Sequence, residues 1–265
     1  MLRRSFALVS FLFASAVLYG AVTPKPAPSP AEIQHIVQTF TQKETNFAAA
    51  RRNYTWEQSI NLREVDPPGG SYQLTEDVGF DLQNKRTSTV TYAPVATLQN
   101  IMLTEQDEED FQNIMPFVMT NSTRDQYLVQ YLGWEKVDEI GCYVFSVKPK
   151  KLTKDMKRYF DGEIWVDDRD FQIVKTYGVG VGHLGHGADQ AFPKFVTYRQ
   201  QIDGKYWFPV YTYSDSTLHW KDGQQQKIKL VVRYTNYKRF KANSTIKYGA
   251  VQPDTTNKGA TNKQK

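Results

Sequence analysis

The sequence contains one cysteine, Cys142, and only four histidines among its 265 residues. A single thiol excludes an intramolecular disulfide, so packing and hydrogen bonds must hold the fold. In the strand-like segment CYVFSV we expect Cys142 to be a small buried hydrophobe. No Gly-x-Ser-x-Gly segment is present either. The sequence therefore supports neither a serine nor a cysteine nucleophile, and we predict no catalytic residue and no cofactor.

Basic charge is also scarce in the body of the chain, despite the formal net charge of +5. Arg3 and Arg4 contribute two positive charges, and residues 241–265, with five lysines and one aspartate, contribute four more. Residues 21–240 therefore carry a net charge of −1. A protein that follows nucleic-acid phosphates needs a basic groove, so we predict no nucleic-acid partner.

The chain lacks an apolar run long enough to cross a membrane. The segment 6–18 (FALVSFLFASAVL) has 13 apolar or small residues; it follows the basic MLRR and precedes Gly20 and Ala21. This pattern predicts a signal peptide over residues 1–21, with an uncleaved anchor as the alternative. Ala21 stands where a lipoprotein would need cysteine. We therefore predict an exported, periplasmic protein that is neither lipidated nor an integral membrane protein.

The remaining chain divides into a Pro-rich linker (22–30), one domain (31–240) and a basic disordered tail (241–265). The domain begins at SPAE, a helix-capping box, and continues with apolar residues at helical spacing. Alternating segments such as YTWEQSINL predict about ten antiparallel strands, interrupted by an acidic helix near 105–115. With only two helices to cover it, such a sheet must curl, so we predict an α+β half-barrel.

Three hairpin segments carry a resemblance to a known family: VDEIGCYVFSVKPKK (137–151), DGEIWVDDRDFQIVKTYG (161–178) and VTYRQQIDGKYWFPVYTYS (196–214). The chain resembles the bacterial outer-membrane lipoprotein-sorting proteins over about 30–240. That resemblance implies a strongly curved, half-open antiparallel sheet with helices over its mouth and a cavity for acyl chains. The acidic helix and the Gly-rich stretch 178–188 have no match in the sorting carrier itself, which favours an uncharacterised relative.

Aromatic residues on the strands are the candidate ligand contacts, although ordinary core packing explains many such positions equally well. A buried acyl tail gains about 0.8 kcal/mol per CH₂, so sixteen carbons contribute roughly 10 kcal/mol without any catalytic group. We predict a binding or carrier protein for a lipid or lipoprotein acyl chain. The predicted cavity residues are Trp56, Phe80, Trp165, Phe195, Trp207, Tyr211 and Tyr213, and the predicted lid or loop residues are Phe40, Phe47, Gly180, Gly182 and His183.

Two other functions remain open. In GVGVGHLGHGADQ (178–190), His183 and His186 could both reach one metal ion, as in a metal-dependent hydrolase, but no third histidine is near. The same fold could instead serve an envelope sensor that binds a partner protein. The acidic tetrad Asp167–Asp170 is more simply a solvated turn between strands than a catalytic loop.

Overall fold

A computed structural model describes residues 26–153, 158–182, 192–220 and 222–240. The predicted signal peptide, the tail, and His183 and His186 lie outside the described residues. The first helix, α1 (Pro30–Arg51), starts where the sequence predicts. The Ser29 hydroxyl accepts a hydrogen bond from the Glu32 N–H at 3.3 Å, and the Glu32 carboxylate accepts one from the Ser29 N–H at 2.7 Å. This capping box satisfies two N–H groups that a helix start otherwise leaves unpaired.

Ten antiparallel strands form one open sheet, which confirms the predicted fold class. The strands are β1 (Tyr54–Glu64), β2 (Ser71–Phe80), β3 (Arg86–Tyr92), β4 (Tyr127–Val137), β5 (Ile140–Pro149), β6 (Arg158–Asp167), β7 (Ile173–Gly182), β8 (Phe195–Ile202), β9 (Tyr206–His219) and β10 (Gln225–Arg239). Their order is β3-β2-β1-β10-β9-β8-β7-β6-β5-β4. The last strand therefore pairs with the first, and β3 and β4 form the two edges.

Two of the three Asp-Gly pairs of the sequence form hairpin turns, as the backbone preferences of these residues predict. Asp203 (φ 57°) and Gly204 (φ 69°) connect β8 to β9, and Gly223 (φ 89°) lies between β9 and β10. Positive φ at these positions suits tight hairpins, whose twist matches that of the strands. The pair at 161–162 lies inside β6 instead, opposite Gly178 and Val179 of β7.

The connection from β3 to β4 carries the chain from one edge of the sheet to the other. It contains α2 (Glu105–Asn113), whose N-cap Thr104 forms a capping box with Asp107. The helix ends two residues before the predicted boundary, but Met115 and Met119 beyond it are fully buried. The connection therefore packs on the sheet even where it is not helical.

The main core lies between α1, this connection and one face of the sheet, which we call the inner face. Period-two burial defines that face: on β10, Gln226, Ile228, Leu230, Val232 and Tyr234 are buried, and the residues between them are more exposed. A smaller cluster lies on the opposite, outer face. It contains Cys142, Val144, Trp165 and Val174, with Trp207 packed against it. Cys142 is thus buried as predicted, but outside the main core.

None of the helices in the described ranges has the length and apolarity needed to cross a membrane.

Candidate functional site: the inner face and its cover

The inner face is closed by α1 and residues 105–123, which together we call the cover. Phe40 of α1 meets Phe145 of β5 at a ring-centroid distance of 5.6 Å. Phe117 of the connection stacks on Phe160 of β6 at 4.3 Å. These rings are almost fully buried. The large hollow expected from the shortage of helices is therefore filled in these parts, because the non-helical half of the cover packs as tightly as a helix.

A buried ion pair ties both parts of the cover to β8. Arg199 Nη1 lies 3.0 Å from each carboxylate oxygen of Glu44, and both side chains are 1% exposed. Arg199 Nη2 donates to the carbonyl oxygen of Phe117. Burial raises the pKa of Glu44, and the charge of Arg199 opposes that rise. One guanidinium therefore holds α1 and the connection at the same point.

A second buried pair holds α2. Arg158 Nε lies 2.7 Å from Asp110 Oδ2, and Arg158 Nη2 lies 3.4 Å from Asp107 Oδ1. Burial raises the pKa of Asp110 to about 7, and the positive charge of Arg158 opposes the rise. Thr197 adds a third tie, since its hydroxyl donates to the Met115 carbonyl at 2.8 Å. The cover thus meets the sheet through specific polar contacts as well as apolar packing.

Glu64 fixes the start of the connection. Its buried carboxylate accepts hydrogen bonds from the N–H groups of Gly70, Gln99, Asn100 and Ile101 at 2.7–2.9 Å. Burial alone would raise the pKa of Glu64, but these four donors lower it below its ordinary value. Residues 99–101 are therefore anchored, and any movement of the connection must begin after them.

A cavity of about 110 Å³ remains between β1, β2, β10 and the end of α2. Its lining consists of Arg51, Trp56, Gln58, Phe80, Arg86, Gln112, Asn113, Pro116, Pro209, Tyr234 and Tyr237. Ligand pockets for drug-sized molecules measure roughly 300–1,000 Å³, so this space cannot hold an acyl chain.

The predicted cavity residues divide between the two faces. Trp56, Phe80 and Phe195 face the core under the cover, and Trp56 and Phe80 also line the 110 Å³ cavity. The other four, Trp165, Trp207, Tyr211 and Tyr213, lie on the outer face.

Alternation along the strands shows this directly. Trp165 stands between Ile164 and Val166 of the main core, and Trp207 precedes the buried Phe208. Tyr211 and Tyr213 flank Thr212, whose hydroxyl shares a hydrogen bond with Thr197 beneath the cover. The prediction of one common cavity for all seven residues is therefore corrected.

The predicted lid residues also fall in different parts of the fold. Phe40 and Phe47 belong to α1 and are buried against the sheet, as a lid helix requires. Gly180 and Gly182 lie in β7 and not in a loop. His183 and His186 lie outside the described residues. Within the described ranges, no group of three or more His, Cys, Asp or Glu side chains is placed to hold a metal ion.

The acidic tetrad forms the predicted turn, but two of its carboxylates make specific contacts. Asp168 accepts a hydrogen bond from Trp134 Nε1 at 2.8 Å, and Asp170 accepts one from Trp207 Nε1 at 2.9 Å. Burial raises the pKa of Asp167. The tetrad is therefore not simply a solvated turn, since it orients indoles on two separate strands, β4 and β9.

The outer face carries a long groove over β4–β9. Two adjoining depressions of about 550 and 580 Å³ share Glu163, Tyr177 and Lys194 in their lining. Leu128 and Tyr177 along it are 60% and 44% exposed. The rest of the lining is mixed and includes charged side chains such as Glu163, Lys175 and Lys194, so the groove joins exposed apolar groups to charged ones.

Comparisons with family models and with curated proteins each find no match. Among solved structures, the chain is similar to a LolA superfamily protein from Nitrosomonas europaea (13% identity, 78% of this chain and 93% of that one, TM-score 0.34). It is also similar to a DUF1329 family protein from Desulfovibrio piger (14%, 79% and 92%, 0.38) and to a putative outer-membrane lipoprotein-sorting protein domain from Vibrio parahaemolyticus (11%, 77% and 93%, 0.37). Structures from the group that the sequence resembles are thus found. At these identities and TM-scores, neither a ligand nor a partner follows from them.

Sequence reasoning missed the charged residues that tie the cover to the sheet. Glu44 lies on the apolar stripe of α1 between Phe40 and Phe47, and Arg199 occupies an inward position of β8. A charge at a position that periodicity assigns to the core is the signal that could have found each of them. Their pairing could not be read, because 155 residues separate them.

Proposed function

We propose that this chain is a non-enzymatic binding protein of the cell envelope. It takes up acyl chains of a lipid or lipoprotein between the inner face and the cover. The observation that carries the proposal is the construction of the cover: the elements over the apolar inner face contribute no strand to the ten-stranded sheet. Part of the cover can therefore leave without breaking the hydrogen bonds between strands.

The part that moves is the connection after residue 104. Its buried apolar side chains are Phe111, Ile114, Met115, Phe117 and Met119. At roughly 1.5–3 kcal/mol each, exposing all five would cost about 8–15 kcal/mol. One sixteen-carbon tail returns roughly 10–13 kcal/mol at 0.8 kcal/mol per CH₂, before the cost of ordering the tail. A single tail thus only about balances the opening, and a ligand with two or more acyl chains is the one that this site favours.

The test starts from protein purified without detergent. Native mass spectrometry and solvent extraction should recover a bound lipid, and di- or triacylated ligands should displace a fluorescent fatty acid more strongly than single-chain ones. The variant Arg158→Gln loosens the tie to α2 and should bind the probe more readily. The control Arg124→Gln alters an exposed pair with Asp125 and should leave probe binding unchanged. Absence of extracted lipid together with no probe binding by Arg158→Gln would rule the proposal out.

A second candidate is a protein partner on the outer face, favoured by the long groove with the exposed side chains Leu128 and Tyr177. A photo-crosslinking residue at Tyr177 should then capture one envelope protein specifically. The same residue at Lys85, exposed and remote from the groove lining, provides the comparison. Equal capture at both positions would exclude this role for the groove.

A further inference from the structure

The charged side chains that line the 110 Å³ cavity beside the end of α1 are all positive. Among its eleven lining residues two are arginines, Arg51 and Arg86, and none is an aspartate or glutamate. Glu76, outside the lining, pairs with Arg86 at 2.6 Å. Glu44, which pairs with Arg199, also attracts Arg51 but forms no ion pair with it among the described residues. The lining itself therefore carries positive charge without a carboxylate.

Three donor atoms in this lining lack a hydrogen-bond partner among the described residues. They are Arg51 Nε, Trp56 Nε1 and Gln58 Nε2. Trp56 is 7% exposed and Gln58 2% exposed, so bulk water does not compensate them. Buried donors without partners are rare in native proteins and need a physical explanation. Three of them around one space indicate an acceptor that occupies it.

The guanidinium of Arg51 is held in place by its neighbours. Its Cζ lies 5.8 Å from the Phe47 ring centroid and 6.0 Å from that of Phe80. No carboxylate of the described ranges forms an ion pair with it. Burial lowers the pKa of Arg51, and the like charges of Arg199 and Arg86 lower it further, while Tyr237 and Glu44 partly offset this shift. A bound negative charge would oppose both effects.

We propose that this cavity binds one oxygen-bearing anionic group, a carboxylate or a phosphate, through Arg51, Trp56 and Gln58. The volume corresponds to about three or four water molecules at roughly 30 Å³ each, which suits such a group and excludes a larger one. A planar guanidinium is well matched to two oxygens of a carboxylate or phosphate. The neighbouring Tyr234, whose pKa burial raises to about 12, remains protonated and is a further polar group on the wall.

This anion site is inferred from the residues that line the cavity, and it does not depend on acyl-chain binding. The anionic group could be a free ion or the head group of an amphiphile whose tail lies under the cover. Both sources present the same oxygens to the same donors. The experiment therefore uses both kinds of probe.

The indole N–H of Trp56 provides a direct reporter. In full chain labelled with ¹⁵N-tryptophan, the Trp56 signal is assigned with Trp56→Phe and followed by NMR during titration with inorganic phosphate and with acetate. Chloride at matched ionic strength is the reference. Binding is expected to move the Trp56 signal saturably and more than those of the other four tryptophans. A second series uses dodecyl phosphate and laurate below their critical micelle concentrations.

Substitution at two adjacent arginines tests the assignment. Arg51→Gln should weaken binding at least about tenfold, because it removes a charged donor. Arg52→Gln alters an exposed side chain outside the cavity and should retain the wild-type affinity. Without anion, Arg51→Gln should unfold at the same or a higher temperature than wild type, since it removes a partly buried charge that forms no ion pair among the described residues. A merely structural arginine would instead lower that temperature.

The outcomes separate clearly. Saturation by phosphate or acetate supports a free-ion site, and saturation by the amphiphiles alone supports a head-group site. If no probe moves the Trp56 signal, the cavity holds only water and the proposal is overturned. Equal binding by wild type and Arg51→Gln overturns it as well. Failure of acyl binding with retained phosphate binding would reject only the proposed carrier function.

Discussion

The buried pair Glu44–Arg199 provides the sharpest test of how the cover is held. Both side chains are 1% exposed, and Arg199 also donates to the Phe117 carbonyl. Replacing Glu44 by methionine keeps a similar volume but leaves the guanidinium buried without its counter-charge. Such a change typically costs about 3–5 kcal/mol of unfolding free energy.

The double variant Glu44→Met/Arg199→Met should recover part of that loss. It removes both desolvated charges, but it leaves the Phe117 carbonyl without its donor, at a cost of about 1–3 kcal/mol. We therefore expect the double variant to be more stable than Glu44→Met alone. If Glu44 and Arg199 did not interact, removing Arg199 as well would recover none of the loss.

Urea unfolding followed by tryptophan fluorescence measures both variants, and amide hydrogen exchange locates the change. Protection should fall in α1 and near residues 115–119 before it falls in the central strands. The control Asp125→Asn breaks the surface ion pair with Arg124. The side chain of Arg124 is 43% exposed and that of Asp125 is 85% exposed. This control should cost less than about 1 kcal/mol. If Glu44→Met costs no more than this control, the buried-tie argument is wrong.

Three further predictions concern single residues. Cys142 is fully buried, and burial raises its pKa to about 12. A thiol reagent at pH 8 should therefore label Cys142 only after unfolding. Rapid labelling of the folded protein would contradict this placement. The pKa of Asp110 is about 7 in the folded chain against 3.8 as its ordinary value, so the folded chain binds more protons between them. The unfolding free energy should therefore fall as pH rises from 4 to 7, and Asp110→Asn should remove that part of the slope in acid titrations. A Cβ at Gly162 would collide with the Tyr177 carbonyl, so Gly162→Ala should lose roughly 1–3 kcal/mol in urea unfolding; unchanged stability would refute the close approach.

Local chemistry was enough to predict most of the secondary structure. The start of α1 follows from Ser29, Pro30 and Glu32, because a capping box acts within four residues. The turn at Asp203 and Gly204 follows from backbone preferences of those two residues alone. The burial of Cys142 could likewise be predicted, since its strand is apolar on both sides.

The composition of the candidate site was decided by tertiary structure. Trp165 and Trp207 read like core residues, but they pack on the outer face against a small cluster and two carboxylates. Period-two alternation separates two faces without showing which one the helices cover. Bulges beside Trp165 and Arg199 also shift the alternation within a strand.

Sequence by itself therefore determined the strands, the two helices and the absence of disulfides, because these depend on neighbours along the chain. Only the tertiary structure decided that the cover packs on the inner face, that Glu44 meets Arg199, and that Arg51, Trp56 and Gln58 line one small cavity. These features join segments far apart in sequence. Their energies depend on burial and on distances of a few ångströms, which no local pattern of residues encodes.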